Sequence, residues 1–286
     1  MRALQRVNSP KSKNTQDDCL YEKYSSTESF NDDESLADEQ SKNPSSKYDF
    51  VKVRVNLNSE HYYTFSRSLL CRVLQSIGVK VIDAVKMALD LKKLLVDKGK
   101  LEITQKTLER ELFSLVLQNG YPQRVLDLYK MIHALHIERI PFIVIVKALN
   151  ELDSAGIYLC SRLNLTLLIQ TKIVLSIVKD LKLESTATND EQLVLAGIRN
   201  DIRKCFKEGK QCIIEGMHLD QSILKYIEEF AGSKGVVVPV AIGHSADGYY
   251  TVDGNQESTE SLINAIHEHV LTELEKSFLC DFVFNK

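Results

Sequence analysis

Three short apolar runs constrain this chain more than any other feature: Pro141–Val146 (PFIVIV), Cys212–Ile214 and Gly235–Ile242 (GVVVPVAI). None is interrupted by a charged residue, which is the pattern of strands covered on both faces in a parallel sheet. Helical patterns fill the intervals, near Asp153–Leu163, Thr171–Leu183 and Asp190–Glu208. A last one, Ser258–Phe278, places Leu262, Ile263, Ile266, Val270, Leu271 and Leu274 at helical spacing. Strands alternating with helices predict βαβ units and a layered α/β domain over residues 141–286.

Residues 48–140 read differently. Asp49–Leu57 alternates as a strand, Asn58-Ser59-Glu60 is turn-like, and His61–Phe65 returns, so a β-hairpin is predicted. Four helices follow. Ser66 caps the first (Leu69, Leu70, Val73, Leu74, Ile77), which stops at Gly78; the second covers Val81–Asp97 and stops at Gly99. Thr104 caps the third, up to Gly120, and Pro122 opens the fourth through Leu135.

Composition separates a third part. Residues 1–47 hold 11 apolar residues against nine Ser and nine Asp/Glu, too few to offset the entropy of ordering, so this segment reads as a disordered tail. Ser25, Ser29 and Ser35 each stand three residues before an acid, a spacing suited to acidophilic kinases and common by chance in such a tail. Met1–Gln16 carries four basic and no acidic residues but lacks the apolar face of a transit peptide. No run approaches the ~18–20 apolar residues of a membrane span. A formal charge of −3 argues against a dedicated nucleic-acid binder. Six scattered cysteines without CxxC or zinc spacing predict reduced thiols in an intracellular protein, cytoplasmic or nuclear.

Ligands of open α/β sheets bind beyond the carboxyl ends of the strands. A phosphate-binding loop after the first run would read GxxxxGK[ST]; the chain reads Lys147-Ala-Leu-Asn-Glu-Leu-Asp-Ser-Ala-Gly156. It lacks a glycine where the backbone must wrap phosphate, lacks a Gly-Lys pair, and places Glu151 and Asp153 where positive charge is needed. The pairs Gly99-Lys100 and Gly209-Lys210 lie in helix-to-strand turns, and neither precedes Ser or Thr.

The second run ends in Glu215-Gly216-Met217-His218-Leu219-Asp220. Glu215, His218 and Asp220 are the candidate catalytic residues: a carboxylate at a strand tip can hold a Mg²⁺-bound water or act as a base, and His218 can touch an anion. On a purely structural reading Asp220 caps the helix through Phe230 and His218 is a polar loop residue. His133 and His136 share a helix face without an evident third ligand, whereas His267 and His269 point to different faces. No metal site is predicted.

The order of these pieces resembles the plant P-loop NTPase proteins named for a low-phytic-acid phenotype, which look like 2-phosphoglycerate kinases. The likeness is carried by Lys47–Val55 (KYDFVKVRV), His61–Tyr63, Ser66–Leu70, Ala88–Leu95 (ALDLKKLL), Arg139–Pro141, Arg162–Leu165, Gln170-Thr171 and Glu208–Asp220 (EGKQCIIEGMHLD). It spans roughly residues 47–240 and implies an ATP-cone-like helical module (48–140) followed by a P-loop-kinase-like domain (141–286). Where the family has its glycine-rich loop, this chain has Ala148–Ala155 and is about two residues shorter; where the family has an Asp after Gln170-Thr171, this chain has Lys172.

By resemblance the chain is a short, divergent member linked to inositol phosphate (phytic acid) accumulation, regulatory or pseudokinase-like, with ATP and Mg²⁺ as the implied cofactors. In its module Lys52, Arg54, Ser66 and Arg67 are candidate phosphate contacts, or else a solvated basic edge. An active small-molecule kinase is the alternative, and needs Lys147 or Lys172 as replacement cation. A ligand-free interaction scaffold is the third reading. The implied partner is a nucleotide or phosphorylated small molecule, with neither nucleic acid nor membrane.

Overall fold

A computed structural model describes residues 47–148, 155–181, 189–232, 235–243, 245–254 and 258–281. The predicted tail with Ser25, Ser29 and Ser35, and residues 149–154 of the predicted phosphate-loop position, lie outside the described residues. After a helical turn, α1 (Lys47–Phe50), β1 (Arg54–Asn56) and β2 (Tyr62–Thr64) form the predicted hairpin, with Arg54 opposite Thr64 and Asn56 opposite Tyr62. The turn closes because the Asn58 carboxamide oxygen accepts the N–H groups of Glu60 and His61 at 2.9 and 2.7 Å. The first strand is shorter than its alternation suggests: Asp49 and Phe50 belong to α1, where Asp49 pairs with Arg67 at 2.5 Å and Phe50 is exposed.

Helices α2 (Arg67–Ser76), α3 (Val81–Asp97), α4 (Gln105–Gln118) and α5 (Gln123–Ile137) occupy the four predicted places. Ser66 and Thr104 cap α2 and α4 by accepting N–H groups of Leu69 and Thr107 at 3.3 Å each. A third strand, β3 (Glu102–Thr104), runs parallel to β1. It was not predicted because its three residues lead straight into the Thr104 cap and are too few to show alternation.

The second part is a mixed α/β arrangement on a parallel sheet. Its elements are β4 (Phe142–Ala148), α6 (Ala155–Arg162), β5 (Leu167–Gln170), α7 (Thr171–Asp180), α8 (Asp190–Glu208), β6 (Gln211–Gly216), α9 (Gln221–Ala231), β7 (Val236–Ile242), β8 (Tyr250–Val252) and α10 (Thr259–Asp281). The strand order is β5-β6-β4-β7-β8, every neighbouring pair parallel. The short strands β5 and β8 were not predicted, being four and three residues long. The central strand β4 is buried on both faces, as its continuous apolar run requires. Phe142, Val144 and Val146 pack with Leu159 of α6 and the apolar side of α10, whereas Ile143 and Ile145 pack with Ile198 of α8 and Ile223 of α9. Because the chain leaves β4 for β5 and β6 on one side and later crosses to β7 on the other, the carboxyl end of β4 is the topological switch point.

Helix α10 joins the two parts. Its Ile266, Val270 and Leu271 belong to one continuous core with Leu74, Leu91 and Leu128 of the helical module. His267, 4% exposed, donates its Nε2 hydrogen to the Ser76 carbonyl at 3.0 Å. Arg124 of α5 reaches Glu275 through Nε at 2.9 Å and Glu268 through a terminal nitrogen at 2.5 Å. These last pairs are partly exposed and contribute little individually; the shared apolar core stabilises the junction more. Among the described residues, no helix is long and apolar enough to cross a membrane.

Leu271 is fully buried where the two parts meet, so Leu271→Ala is expected to cost about 2–5 kcal/mol. In urea unfolding followed by far-ultraviolet circular dichroism and tyrosine fluorescence, both signals should shift together to a lower midpoint. The pH dependence follows from His267. Burial, aided by the charge of Arg162, holds its imidazole below the ordinary histidine value of 6.5 despite the hydrogen bond to Ser76. The unfolded chain therefore takes up the proton first, so this contribution is complete above pH 6.5 and is lost as the pH falls toward the lower folded value. Urea midpoints measured between about pH 7.5 and about pH 5 should fall, and His267→Gln should flatten that profile in part, because burial also lowers His269.

Candidate functional site

The tip of β6 carries a buried carboxylate that is hydrogen-bonded to two other elements. Parallel register sets Gln170, the last residue of β5, beside Glu215 on one side and Val146 of β4 beside it on the other. The Glu215 carboxylate, in a residue only 7% exposed, accepts the Gln170 Nε2 hydrogen at 2.6 Å and the backbone N–H of Gly156 at 2.7 Å. Gly156 lies in the first turn of α6, so a negative charge sits at the positive end of that helix, where unsatisfied N–H groups favour an anion. The approach is close enough to require glycine: a Cβ on residue 156 would overlap the Glu215 carboxylate. The thiol of Cys160, in the same helix, is pushed up to about 11 by burial and secondarily by the Glu215 charge. It is therefore an unreactive thiol at neutral pH.

Gly216 follows with φ of 143°, and a Cβ there would overlap the Thr171 hydroxyl. Thr171 is fully buried at the start of α7, and its Oγ1 lies 3.4 Å from Nδ1 of the half-buried His218. Glu215, Gln170, Thr171 and His218 thus form a chain of polar groups across the carboxyl ends of β5 and β6. Asp220 turns away from it. Its carboxylate caps α9, accepting the Ile223 N–H at 3.0 Å and the Ser222 hydroxyl at 2.8 and 2.9 Å. Lys147 is level with Gly216 in the register, and its ammonium lies 5.7 Å from the centre of the Tyr249 ring. Lys172 is exposed in the first turn of α7.

The four candidate phosphate contacts of the module belong to β1, α2 and the segment before β1. Lys52 is exposed, and the Arg54 guanidinium stacks 4.7 Å from the Tyr62 ring centre. Ser66 spends its hydroxyl oxygen on the α2 cap, and Arg67 pairs with Asp49. The histidine pair on α5 is divided in the same way: His133 stacks on Tyr129, and His136 donates to the Ile132 carbonyl at 2.8 Å. Among the described residues, no group of three His, Cys, Asp or Glu side chains is arranged to hold a metal.

No protein-family model and no curated protein matches the chain. Among solved structures it is similar to a gluconokinase from Sinorhizobium meliloti 1021, at 14% identity and a TM-score of 0.34, over 48% of this chain and 94% of that one. It is also similar to a hexameric APS kinase from Thiobacillus denitrificans, at 13% identity and a TM-score of 0.38, over 55% of this chain and 33% of that chain's length.

Sequence reasoning located Glu215 and the cap at Asp220, but not the partners of Glu215. Gly156 and Gln170 are 59 and 45 residues away from it in sequence, and only the register of β5 on β6 brings them together. The one signal available was Gln170-Thr171 following a short apolar stretch, Leu167–Ile169, too brief to identify as a strand.

The close contact has a measurable signature. Gly156→Ala is expected to destabilise the protein by about 1–3 kcal/mol through overlap, and Glu215→Ala by a similar amount through the lost buried hydrogen bonds. Together they should cost at least about 1 kcal/mol less than the sum, because removal of the carboxylate opens the space that the new methyl group needs. Urea denaturation of the two single variants and the double variant reads this coupling directly.

Proposed function

We propose that this chain is a regulatory, pseudokinase-like relative of the 2-phosphoglycerate kinase-related proteins, with a kinase-like sheet whose phosphate grip is lost. The observation that carries this reading is the Glu215 carboxylate on the Gly156 N–H. Phosphate-binding sheets leave the first-turn N–H groups after the switch-point strand open to the ligand and add a lysine. Here one of those N–H groups is satisfied by the protein's own buried carboxylate.

Mg-ATP fits the described residues poorly. A polyphosphate brought to the head of α6 would meet the negative charge of Glu215 at close range, in a low-dielectric site where repulsion is strongly felt. The nearest cation by register, Lys147, lies over the Tyr249 ring. Phosphoryl transfer depends almost entirely on positioning and charge neutralisation, so these features support loss of catalysis. A role in inositol phosphate accumulation rests on the family resemblance, and a regulatory protein would exert it by binding rather than by turnover.

A thermal scan of the full chain tests the reading. With Mg-ATP at about 100 times its dissociation constant, an intact nucleotide site contributes about 2.7 kcal/mol, or about 5–10 °C for a unit of this size. The expected shift in about 5 mM Mg-ATP is below about 1 °C. A shift of several degrees, accompanied by transfer of the γ-phosphate from labelled ATP and lost in Lys147→Ala or Lys172→Ala, would overturn it in favour of an active kinase.

A further inference from the structure

We propose that an open cleft on the outer side of α6 binds a small anion bearing several hydroxyl groups, of monosaccharide size and carrying one phosphate or carboxylate. The cleft lies between the C-terminal end of α2, the second half of α6 and the first two turns of α10, and encloses about 470 Å³. That volume is within the range of small-molecule sites.

The lining differs in kind from the β6 tip, where the carboxylates are committed to protein partners. The Arg162 guanidinium donates to the Asn264 side-chain oxygen, a neutral acceptor, and among the described residues no carboxylate forms an ion pair with it. A guanidinium has five N–H donors, so the bond to Asn264 leaves most of its donor capacity without a protein partner among the described residues. Its positive charge has no ion-pair partner among the described residues, although the Glu260 carboxylate shares the cleft, and it contributes to holding the neighbouring His267 imidazole low. The N-terminal end of α10 lies in the same wall through Thr259 and Glu260. Ser258 caps this end by accepting the Ser261 N–H on its side-chain oxygen at 3.1 Å, so only the N–H groups of Thr259 and Glu260 are left without intrahelical acceptors, and the helix dipole adds to the field of Arg162.

Arg162 defines an anion position, and the rest of the lining defines what the anion is attached to. The hydroxyls of Ser161, Thr259 and Tyr158, the Gln75 carboxamide oxygen and the Glu260 carboxylate are uncommitted among the described residues, and they converge on the same space. A bare phosphate would accept the hydroxyl hydrogens but would leave the Gln75 and Glu260 oxygens unused, and it would be repelled by Glu260. A polyol carrying an anionic group offers hydroxyl hydrogens to Glu260 and Gln75 while its charge meets Arg162. Tyr158 and Ile263 supply an apolar surface for the carbon skeleton. The cleft involves a helix of the module and two helices of the sheet layer, so an occupant would touch both parts of the protein.

Isothermal titration of the full chain with glucose 6-phosphate, glucose and inorganic phosphate tests this assignment. Glucose 6-phosphate is expected to bind with one-to-one stoichiometry and at least tenfold more tightly than glucose or inorganic phosphate. Arg162→Gln should weaken it at least tenfold, and Ser161→Trp, which fills the cleft while keeping Arg162 in the sequence, should do the same. Arg110→Gln, which removes an exposed positive charge on α4, should leave it unchanged. The proposal is overturned by absence of binding, by inorganic phosphate binding as tightly as the sugar phosphate, by retained affinity in both cleft variants, or by an equal loss in the Arg110 variant. Thermal midpoints of the variants separate loss of binding from loss of folding.

Discussion

The rest of the structure depends on the double-sided burial of β4. A strand with Phe142 to Val146 sealed from water needs an apolar layer against each face and hydrogen-bonded strands along both edges. Helices α6 and α10 meet one need on the first face, and α8 and α9 on the second. Strands β6 and β7 satisfy the backbone on either side. The helical module packs into the layer that α10 provides, so the core of the hairpin-and-helix part is continuous with the core of the sheet.

At the carboxyl end of this arrangement the chain crosses from one side of β4 to the other, and a cavity for an anion would ordinarily open there. Glu215 stands at that end, as the residue of β6 before Gly216. Its carboxylate serves as a strut between the head of α6 and the end of β5, and it sets a negative charge at the positive end of that helix. The same helix presents Tyr158, Ser161 and Arg162 to the outer cleft, so α6 is anchored at its first turn and still carries uncommitted polar groups further along.

The helical module was the more legible part of the chain. The caps at Ser66 and Thr104 and the helical spacing of Leu70, Leu74, Leu91 and Leu112 act within a few residues, and all four helices appear where that spacing puts them. Strands β3, β5 and β8 were hidden because three or four residues carry no periodicity; each is defined by the backbone partners that a neighbouring strand offers it. At the site, Glu215 stood out as a carboxylate at the end of an apolar run, but its role did not. Glu215, His218 and Asp220 are close in sequence, yet Asp220 caps α9, while Glu215 turns toward groups on two other elements.

The sequence by itself determined the alternation of buried strands and amphipathic helices, the helical caps and the absence of a Gly-Lys phosphate loop, because each follows from side-chain size, polarity and backbone preference over short distances. Tertiary structure alone decided that Gly156 and Gln170 meet Glu215, that His267 reaches Ser76, and that Arg162 lies beside the N-terminal end of α10. These contacts join residues 59, 45, 191 and 102 positions apart. Strand register and helix packing set them, and no local pattern carries that information.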